Sequence, residues 1–401
     1  MALKVSIKKG REWQLHRGHP WLFSGGISQV PGKAAPGDVV DIIDVDGQFV
    51  ARGYFNPSCD IAVRILTRDA DEEIDKEFVR RRILQAVELR NQCIDHATTN
   101  VYRLVNAEGD FLPGIIVDKF ADVYVVQSHT AGADKLLADV VVVLEECMNP
   151  QVVVIRNDAS VRKREGLDQE PPRVVRGNEP QSLPVMEHGL QFEIDVIGGQ
   201  KTGFFSDQRD KRALVQRICG GLAADSVLAN CFSYSGSFSV YAAKGNPAIH
   251  TINIDESEKA LRLAARNFEI NGMNLSNHET IAADAFAWLE SQAAHQRSFQ
   301  FVILDPPAFA KSGKDKDKAM KAYVRLNKLG LACCAPGAYL LTCSCSGSVS
   351  ALDFELAVMT AAAESGRAVQ MLESLRHGVD HPINISAPET QYLKVLLCRV
   401  V

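Results

Sequence analysis

Residues 226–243 read SVLANCFSYSGSFSVYAA, in which an apolar run passes through small polar residues into a second apolar run. The first run predicts a strand over residues 226–230, and the second predicts a helix over residues 238–243. The serines and the glycine between them let backbone amides approach a ligand where a helix presents its N-terminus. The stretch is not the G-x-G-x-x-G dinucleotide fingerprint, and a tight turn without a ligand explains it about as well.

The sequence on both sides of this stretch alternates between predicted strands and predicted helices. Further strands are predicted over residues 249–254, 279–283, 299–304 and 338–342, and helices over residues 207–219, 257–271, 285–294, 318–334 and 352–365. Such alternation is typical of an α/β fold, a parallel sheet with helices on both faces. Ligands bind such sheets at the carboxyl ends of the strands.

Three acidic residues stand at consecutive strand ends: Asp255, Asp284 and Asp305. Each of the first two could be a helix N-cap and nothing more, but together the three predict a pocket for an adenosine-bearing ligand. In that pocket Asp255 would accept both hydroxyls of a ribose and Asp284 would meet an adenine edge. Pro306 and Pro307 fix the backbone after Asp305, so that this carboxyl group would sit beside the reacting atom.

The fifth strand ends in TCSCSG, residues 342–347. Neighbouring strand ends would place Cys345 and Asp305 over one cleft, and a cysteine there is a plausible nucleophile if its thiolate is favoured. A metal is the alternative for Cys333, Cys334, Cys343 and Cys345. Their C-C and C-x-C spacings do not match zinc sites, so no metal is predicted.

Three domains are predicted from changes in this pattern: residues 1–72, 73–184 and 185–401. The first reads as short strands with turn signals, including a hairpin at Asp46-Gly47. The second is mixed α/β and ends in a polar stretch over residues 168–184 that reads as a linker. The third holds the alternating strands and helices.

Composition narrows the class of protein. With 401 residues, 46% hydrophobic and 23% charged, the chain has ordinary globular usage. No apolar run approaches the roughly 18 residues of a membrane span, the first residues show no secretory signal, and ten cysteines are too few for a disulfide scaffold. A cytoplasmic protein with reduced thiols, away from membranes, is therefore expected.

The net charge of −5 argues against nucleic-acid binding by bulk charge but leaves basic patches open. Residues 1–30 carry five Lys or Arg against one acid, and residues 311–328 carry seven against two. For a single cluster of this kind, a solvated face is the commoner explanation, and the presence of two clusters favours nucleic-acid binding only modestly.

Seven motifs run along the chain: KKGREWQLHRGHPWLFSGGI (8–27), VRRRILQAVELRN (79–91), RNDASVRKREGL (156–167), GGQKTGFFSDQRDKR (198–212), SYSGSFSVYAA (233–243), LDPPAFAKS (304–312) and TCSCSG (342–347). The C-terminal part resembles the class I S-adenosylmethionine-dependent methyltransferases. More narrowly, the chain resembles the ribosomal RNA large subunit methyltransferase I family, which makes 5-methylcytosine in 23S ribosomal RNA, over essentially its full length.

The resemblance implies an N-terminal PUA domain, a mixed α/β central domain and a Rossmann-like domain with a mostly parallel seven-stranded sheet. It implies S-adenosylmethionine as the cofactor, with residues 233–237 facing its methionine part and residues 201–209 closing over it. The implied cofactor-binding residues are Phe204, Phe205, Gln208, Ser233, Tyr234, Ser235, Gly236, Asp255, Asp284 and Asp305. One departure is Asn230-Cys231, where an Asp-Leu or similar pair is common, which puts cofactor contact by residue 230 in doubt.

The family's catalytic cysteine matches Cys345, whereas Cys343 falls at a variable position. Carbon 5 of cytosine needs activation, and a thiolate adding at carbon 6 makes carbon 5 nucleophilic. Asp305 would hydrogen-bond the N3 and amino edge of the ring, and the target base would leave its stack. Two rival readings stay open: methylation of an exocyclic amine with Cys345 not catalytic, and an RNA-binding protein without catalysis.

The N-terminal module also fits RNA, because it mixes cations with an aromatic residue. The candidate RNA-binding residues are Lys8, Arg11, Arg17, His19 and Trp21, with core packing as the alternative for Trp21. Residues 162–164 and 311–328 could track phosphates near the cleft. The expected partner is 23S ribosomal RNA, and a homodimer is left open.

Overall fold

The fold is described from a computed structural model that covers residues 3–30, 32–180, 182–310 and 313–401. The chain divides into two compact units. The first comprises Met1–His188, Ile194–Ser206 and Val379–Thr390, and the second comprises Gly189–Glu193, Asp207–Gly378 and Gln391–Val401. Lys311 and Ser312, which belong to a predicted basic cluster and to the DPPAF motif, lie outside the described residues.

The first unit begins with a six-stranded sheet in the order β2-β6-β5-β4-β1-β3. Its strands are β1 Leu3–Ile7, β2 Trp21–Phe23, β3 Ile27–Gln29, β4 Asp38–Ile43, β5 Phe49–Phe55 and β6 Ile61–Thr67, and a short helix α1 spans Glu12–His16. Alternating residues such as Val5, Val40 and Ile42 are fully buried, as expected for strands with one face on a core. The hairpin predicted at Asp46-Gly47 is confirmed by the antiparallel pairing of β4 with β5.

A five-stranded sheet in the order β11-β10-β9-β8-β7 completes the main structure of this unit. Its strands are β7 Val101–Asn106, β8 Ile115–Phe120, β9 Val123–Ser128, β10 Val152–Ile155 and β11 Arg173–Arg176, and its helices are α2 Lys76–Cys93 and α3 Ala131–Met148. Helix α3 connects β9 to β10, which are parallel. The prediction of a linker over residues 168–184 was wrong in part, because β11 pairs with β10 there. The two valines at the centre of β11 are too short a run to show the alternation of apolar and polar residues that predicts a strand.

Strands β12 Leu183–Glu187 and β13 Leu190–Ile194 flank His188 and Gly189, which both have positive φ.

The predicted domain boundaries after residues 72 and 184 remain predictions. Both predicted N-terminal domains fall within the first unit.

The second unit is built on a seven-stranded sheet in the order β16-β15-β14-β17-β18-β20-β19. Its strands are β14 Val227–Cys231, β15 His250–Asp255, β16 His278–Ala282, β17 Phe299–Leu304, β18 Cys334–Ser344, β19 Val369–Leu375 and β20 Lys394–Val400. Its helices are α4 Arg209–Cys219, α5 Ser237–Gly245, α6 Glu258–Ile270, α7 Ala285–Ala294, α8 Lys316–Ala332 and α9 Ala351–Ser365.

This sheet confirms the predicted α/β class. Strands β14 to β18 are mutually parallel, and β20 runs antiparallel to both β18 and β19. Strand β14 lies between β15 and β17, so the strand order reverses beside it. A ligand crevice forms at such a switch point, outside the carboxyl ends of the strands. Residues 301–304 of β17 are fully buried, which explains their continuous apolar run.

Candidate active site

The turn between β14 and α5 has a backbone conformation that side chains rarely adopt. Phe232 and Tyr234 have φ values of 61° and 45°, and Gly236 has φ 68°. A Cβ atom on Gly236 would lie 2.8 Å from the Cβ of Ala264, so the turn requires glycine there. Non-glycine residues at positive φ are a local strain that often marks a functional site.

Two buried oxygens at this turn lack a hydrogen-bond partner among the described residues. The Oγ of Ser233 is one and the Oδ1 of Asn230 is the other. The Nδ2 of Asn230 donates to the Oγ of Ser239 at 3.0 Å, which holds the amide in place. A buried polar atom without a partner is costly, so these oxygens fit a ligand that brings hydrogen-bond donors, as the ammonium group of S-adenosylmethionine does.

Asp255 lies at the end of β15 and is half-buried. One carboxylate oxygen accepts from the backbone N of Tyr234 at 2.9 Å, and the other accepts from the backbone N of Ser257 at 2.9 Å. The carboxylate therefore joins the β14 turn to the start of α6. Each oxygen keeps a further lone pair that can accept a ribose hydroxyl.

Asp284 follows β16 and is exposed. Its carboxylate caps α7 by accepting from the backbone N of Ala287 at 2.7 Å. The capping role considered for this residue is therefore present in the structure, and the predicted adenine contact remains a prediction.

Asp305 follows β17 and is positioned by a glutamine from another element. The Nε2 of Gln208 donates to the Oδ2 of Asp305 at 3.1 Å and lies 3.6 Å from the Sγ of Cys343. The Oε1 of Gln208 is buried without a partner among the described residues. Gln208 therefore holds the carboxylate and still offers an acceptor to a ligand.

The two cysteines of the TCSCSG motif differ in burial. Strand β18 ends at Ser344, so Cys343 lies inside the strand and is fully buried, whereas Cys345 follows the strand and is half-buried. Burial and the charge of Asp305 raise the pKa of the Cys343 thiol well above its usual value. The Sγ of Cys345 donates to the carbonyl of Pro306 at 3.7 Å. The structure thus brings Cys345 to the Asp305-Pro306-Pro307 segment, and Cys343 is poorly suited to nucleophilic attack.

Two residues near Cys345 were not identified from the sequence. The hydroxyl of Tyr323 on α8 lies 2.9 Å from the Oγ of Ser344 and 2.9 Å from the Oγ of Ser346. The Nζ of Lys394 on β20 donates to the carbonyl of Ser346 at 2.6 Å. Both come from elements distant in sequence, and no local motif marks them.

Residues 195–206, which include Phe204 and Phe205, belong to the first unit. Gln208 belongs to the second unit. The guanidinium of Arg156 donates to the carbonyls of Val196 and Gly199 at 2.8 and 3.1 Å. The Oγ1 of Thr202 donates to Asp118 at 2.6 Å. Phe204 is 4% exposed. Contacts from Arg156 and Asp118 therefore hold residues 196–202 in place, which gives the arginine of the RNDASVRKREGL motif a structural role.

The predicted RNA-binding residues fall into two groups. Lys8, Arg11 and Arg17 are exposed. His19 and Trp21 are half-buried, and the Nε1 of Trp21 donates to Glu108 at 3.0 Å. Sequence reasoning missed the more exposed aromatic residues, which are Trp13 and Phe23, 50% and 39% exposed. The Arg17 guanidinium lies 5.1 Å from the centre of the Trp13 ring.

The prediction that residues 162–164 track phosphates was wrong for Arg162, which is 1% exposed. Its guanidinium donates to the carbonyl of Ser128 at 2.7 Å and to Asp134 at 2.8 Å. An arginine whose donors are used inside the fold cannot bind a phosphate without breaking those bonds. Sequence shows the charge of a residue but not its partners.

The described residues contain no helix that is both long and apolar enough to cross a bilayer. Over the same described ranges, no three His, Cys, Asp or Glu side chains are grouped as metal ligands would be.

A mostly parallel sheet with a strained turn at its switch point and acids at successive strand ends is the architecture expected of a class I methyltransferase dependent on S-adenosylmethionine. A family model described as S-adenosylmethionine-dependent methyltransferase matches residues 168–398, and a PUA-like domain model matches residues 5–68. Proteins named "Ribosomal RNA large subunit methyltransferase I" are similar over the whole length. The protein from Aliivibrio fischeri is 42% identical, with 100% of both chains covered, and that from Klebsiella pneumoniae is 38% identical, with 99% and 98% covered. The chain belongs to the ribosomal RNA large subunit methyltransferase I family.

Solved structures agree on the fold. A putative S-adenosylmethionine-dependent methyltransferase from Streptococcus mutans has a TM-score of 0.85 at 21% identity, covering 99% of this chain and 100% of that chain. A putative methyltransferase crystallised with SAH has the same TM-score and coverage at 20% identity. The cofactor follows from the family model that matches residues 168–398, which is described as S-adenosylmethionine-dependent, and the turn after β14 has oxygens suited to it.

Proposed function

We propose that this protein transfers a methyl group from S-adenosylmethionine to carbon 5 of a cytosine in 23S ribosomal RNA, through a cysteine adduct at carbon 6. The end-to-end similarity to proteins named ribosomal RNA large subunit methyltransferase I supports the RNA substrate. The observation that carries the chemistry is the contact between the Sγ of Cys345 and the carbonyl of Pro306, next to Asp305. The contact supports the proposal because the Cys345 thiol meets the backbone one residue after Asp305, at the end of the neighbouring strand.

The chemistry assigns one role to each of these groups. The Cys345 thiolate forms a bond to carbon 6, and the electron pair of the C5–C6 double bond moves to carbon 5, which becomes nucleophilic. Asp305 hydrogen-bonds the N3 and amino edge and stabilises the charge that the ring gains. When bound, S-adenosylmethionine would supply an electrophilic methyl group, whose bond to sulfur breaks as carbon 5 bonds to it, with S-adenosylhomocysteine as the leaving group. After carbon 5 is methylated, a base takes its proton, the C5–C6 double bond re-forms, and the thiolate leaves carbon 6.

The cofactor site is proposed from the same turn. Residues 233–237 are proposed to face the methionine part, Asp255 the ribose and Asp284 the adenine. Phe204, Phe205 and Gln208 are proposed to line the cofactor. Supporting observations are the Ser233 Oγ and the Gln208 Oε1, which are buried without partners among the described residues.

The RNA-binding surface is proposed to lie on the N-terminal module. The exposed cations Lys8, Arg11 and Arg17 would contact phosphates, and His19 and Trp21 would lie beside them. Trp13 adds an exposed ring on which a base could stack. A homodimer stays a prediction.

Covalent trapping tests the nucleophile. RNA with 5-fluorocytosine at the target should trap the wild-type enzyme, because fluorine cannot leave as a proton would, and the cross-linked peptide should contain Cys345. Cys345→Ala should abolish methyl transfer and trapping while the cofactor still binds. The matched variant Cys343→Ala should keep most activity, because its thiol is buried in β18.

Mass spectrometry of 23S ribosomal RNA from cells lacking the gene identifies the modified atom. Loss of a 5-methylcytosine supports the proposal. Loss of a methyl group on an exocyclic amine, together with full activity of Cys345→Ala, would instead support the amine reaction and remove the cysteine from the mechanism. RNA binding without any methyl transfer would support a binding protein.

A further inference from the structure

Lys394 is a buried cation next to the proposed nucleophile. It begins β20, lies opposite Ser344 in the antiparallel register with β18, and is 4% exposed. Its Nζ donates to the carbonyls of Ser346 and Tyr392 at 2.6 and 2.8 Å. A buried ammonium group is costly unless hydrogen bonds and an opposite charge compensate it. The two carbonyls provide the hydrogen bonds but no charge.

Two groups that can carry a negative charge raise the pKa of the Lys394 ammonium: the Cys345 sulfur and the Asp353 carboxyl group. Burial lowers the pKa of Lys394 to about 8, and these two charges oppose that shift. Asp353 is already engaged by Lys316, whose Nζ lies 2.7 Å from its Oδ2. Cys345 is therefore the group whose negative charge the lysine can balance.

One contact of Cys345 disfavours its thiolate. The Pro306 carbonyl accepts the S–H hydrogen and so favours the protonated thiol. Tyr323 has its pKa raised by burial and, in part, by the charge of Cys345, so it stays a neutral phenol and supplies no positive charge. A nearby cation would favour the thiolate at this position.

We propose that Lys394 is a positioning residue whose buried ammonium stabilises the thiolate of Cys345 and fixes the Ser346 peptide after it. The proposal rests on the proposed function, in which that thiolate adds to carbon 6. It gives a reason for a lysine in the interior of the last strand, where an apolar residue would be cheaper to bury.

Alkylation of Cys345 by iodoacetamide between pH 6 and 10 tests the proposal, because only the thiolate reacts. The rate is followed by mass spectrometry on the Cys345 peptide, so that the other nine cysteines do not interfere. In the wild-type protein the midpoint should lie below the ordinary value of about 8.5. A wild-type midpoint above that value would overturn the proposal without any variant.

Lys394→Gln separates the effect of the positive charge from that of the hydrogen bonds, because glutamine is neutral but can still donate to a carbonyl. It should raise the midpoint of Cys345 alkylation by about one pH unit or more, and Lys394→Arg should keep it near that of the wild type. The control Lys328→Gln removes an exposed lysine that pairs with Glu364 and should leave the midpoint unchanged. An unchanged midpoint in a folded Lys394→Gln protein would mean that the lysine is purely structural.

Methyl transfer distinguishes this proposal from the proposed function. Lys394→Gln should lose at least about tenfold in rate at pH 7, in line with a shift of one pH unit, and recover toward pH 9. If Cys345→Ala retained full activity, the proposed function would fail while the alkylation profile could still show that Lys394 stabilises the thiolate. If Cys345→Ala were inactive and the profile did not depend on Lys394, only the present proposal would fail.

Discussion

Asp255 combines a structural and a binding role in one carboxylate. Its oxygens accept from the backbone N atoms of Tyr234 and Ser257. Asp255→Ala should weaken S-adenosylmethionine binding by about 1.5–3 kcal/mol, the range for hydrogen bonds to a charged group, which is roughly 10- to 150-fold in Kd. Calorimetric titration measures this. Asp225→Ala, which removes an exposed acid before β14, is the control, and equal affinity in both variants would remove Asp255 from the ribose site.

His129 makes the stability of the first unit depend on pH. Burial, together with the charges of Arg103, Arg162 and Arg64, lowers its pKa to about 4, and its Nε2 has no partner among the described residues. The unfolded state takes up the proton first, near pH 6.5, so the contribution is complete above that pH and is lost as pH falls toward 4.

Between pH 7 and pH 5 the wild-type protein should therefore lose up to about 2 kcal/mol more than His129→Gln. Urea unfolding followed by tryptophan fluorescence in a Trp288→Phe background reports the first unit, because Trp13 and Trp21 both lie there. An equal loss in both proteins would show that His129 does not set the acid response of this unit.

RNA binding is proposed at the exposed cations on either side of helix α1. Replacing Lys8, Arg11 and Arg17 by Ala should weaken RNA binding and flatten its salt dependence by up to about 0.7 per lost phosphate contact for single strands. Filter binding at several salt concentrations gives the slope, and cofactor affinity should not change.

The matched control replaces Arg217, Arg262 and Arg266, three exposed arginines in surface ion pairs on α4 and α6. It removes the same charge from a different surface. The same change of slope in both triple variants would mean that the effect comes from net charge and not from the N-terminal surface.

Elements with strong local signals could be predicted from sequence. The strand-turn-helix over residues 226–243 and the acids at the strand ends are local in sequence, because a parallel sheet brings successive strand ends to one edge. The hydrogen bond of Trp21 could not be predicted, because its acceptor Glu108 lies 87 residues away. The exposure of Trp13 could not be predicted either, because it depends on tertiary packing. The burial of Arg162 and the short strand β11 were missed for the same reason: tertiary partners decide them.

At the scale of the whole molecule, the chain returns to the first unit near its end. The segment Val379–Thr390 belongs to that unit, and Asp380 is fully buried there. Its Oδ2 accepts from the backbone N of Arg103 at 2.9 Å, and its carbonyl accepts from Arg90 at 2.8 Å. Arg90 also forms a buried ion pair with Asp110. The sequence pattern predicted no such return, because no local signal records a partner 277 residues away.

Asp380→Ala should destabilise the first unit by about 1–3 kcal/mol, since it leaves the part-buried Arg103 amide without its acceptor. Urea unfolding in the Trp288→Phe background measures the loss. Asp380→Asn keeps a side-chain oxygen and should lose less. Equal stability of Asp380→Ala and the parent protein would show that the segment contributes little to this unit.

The late return of Val379–Thr390 sets the order in which the protein can mature during translation. At roughly 5–20 residues per second, the partners of Asp380 on α2 and β7 wait roughly 15–60 s for it to be synthesised. The N-terminal sheet can form early, but the first unit is complete only when almost all of the 401 residues exist. A nascent chain that stops before residue 379 would leave the partners of Asp380 unsatisfied and would be open to proteolysis, so the first unit would gain its full protection only after Val379–Thr390 has been synthesised.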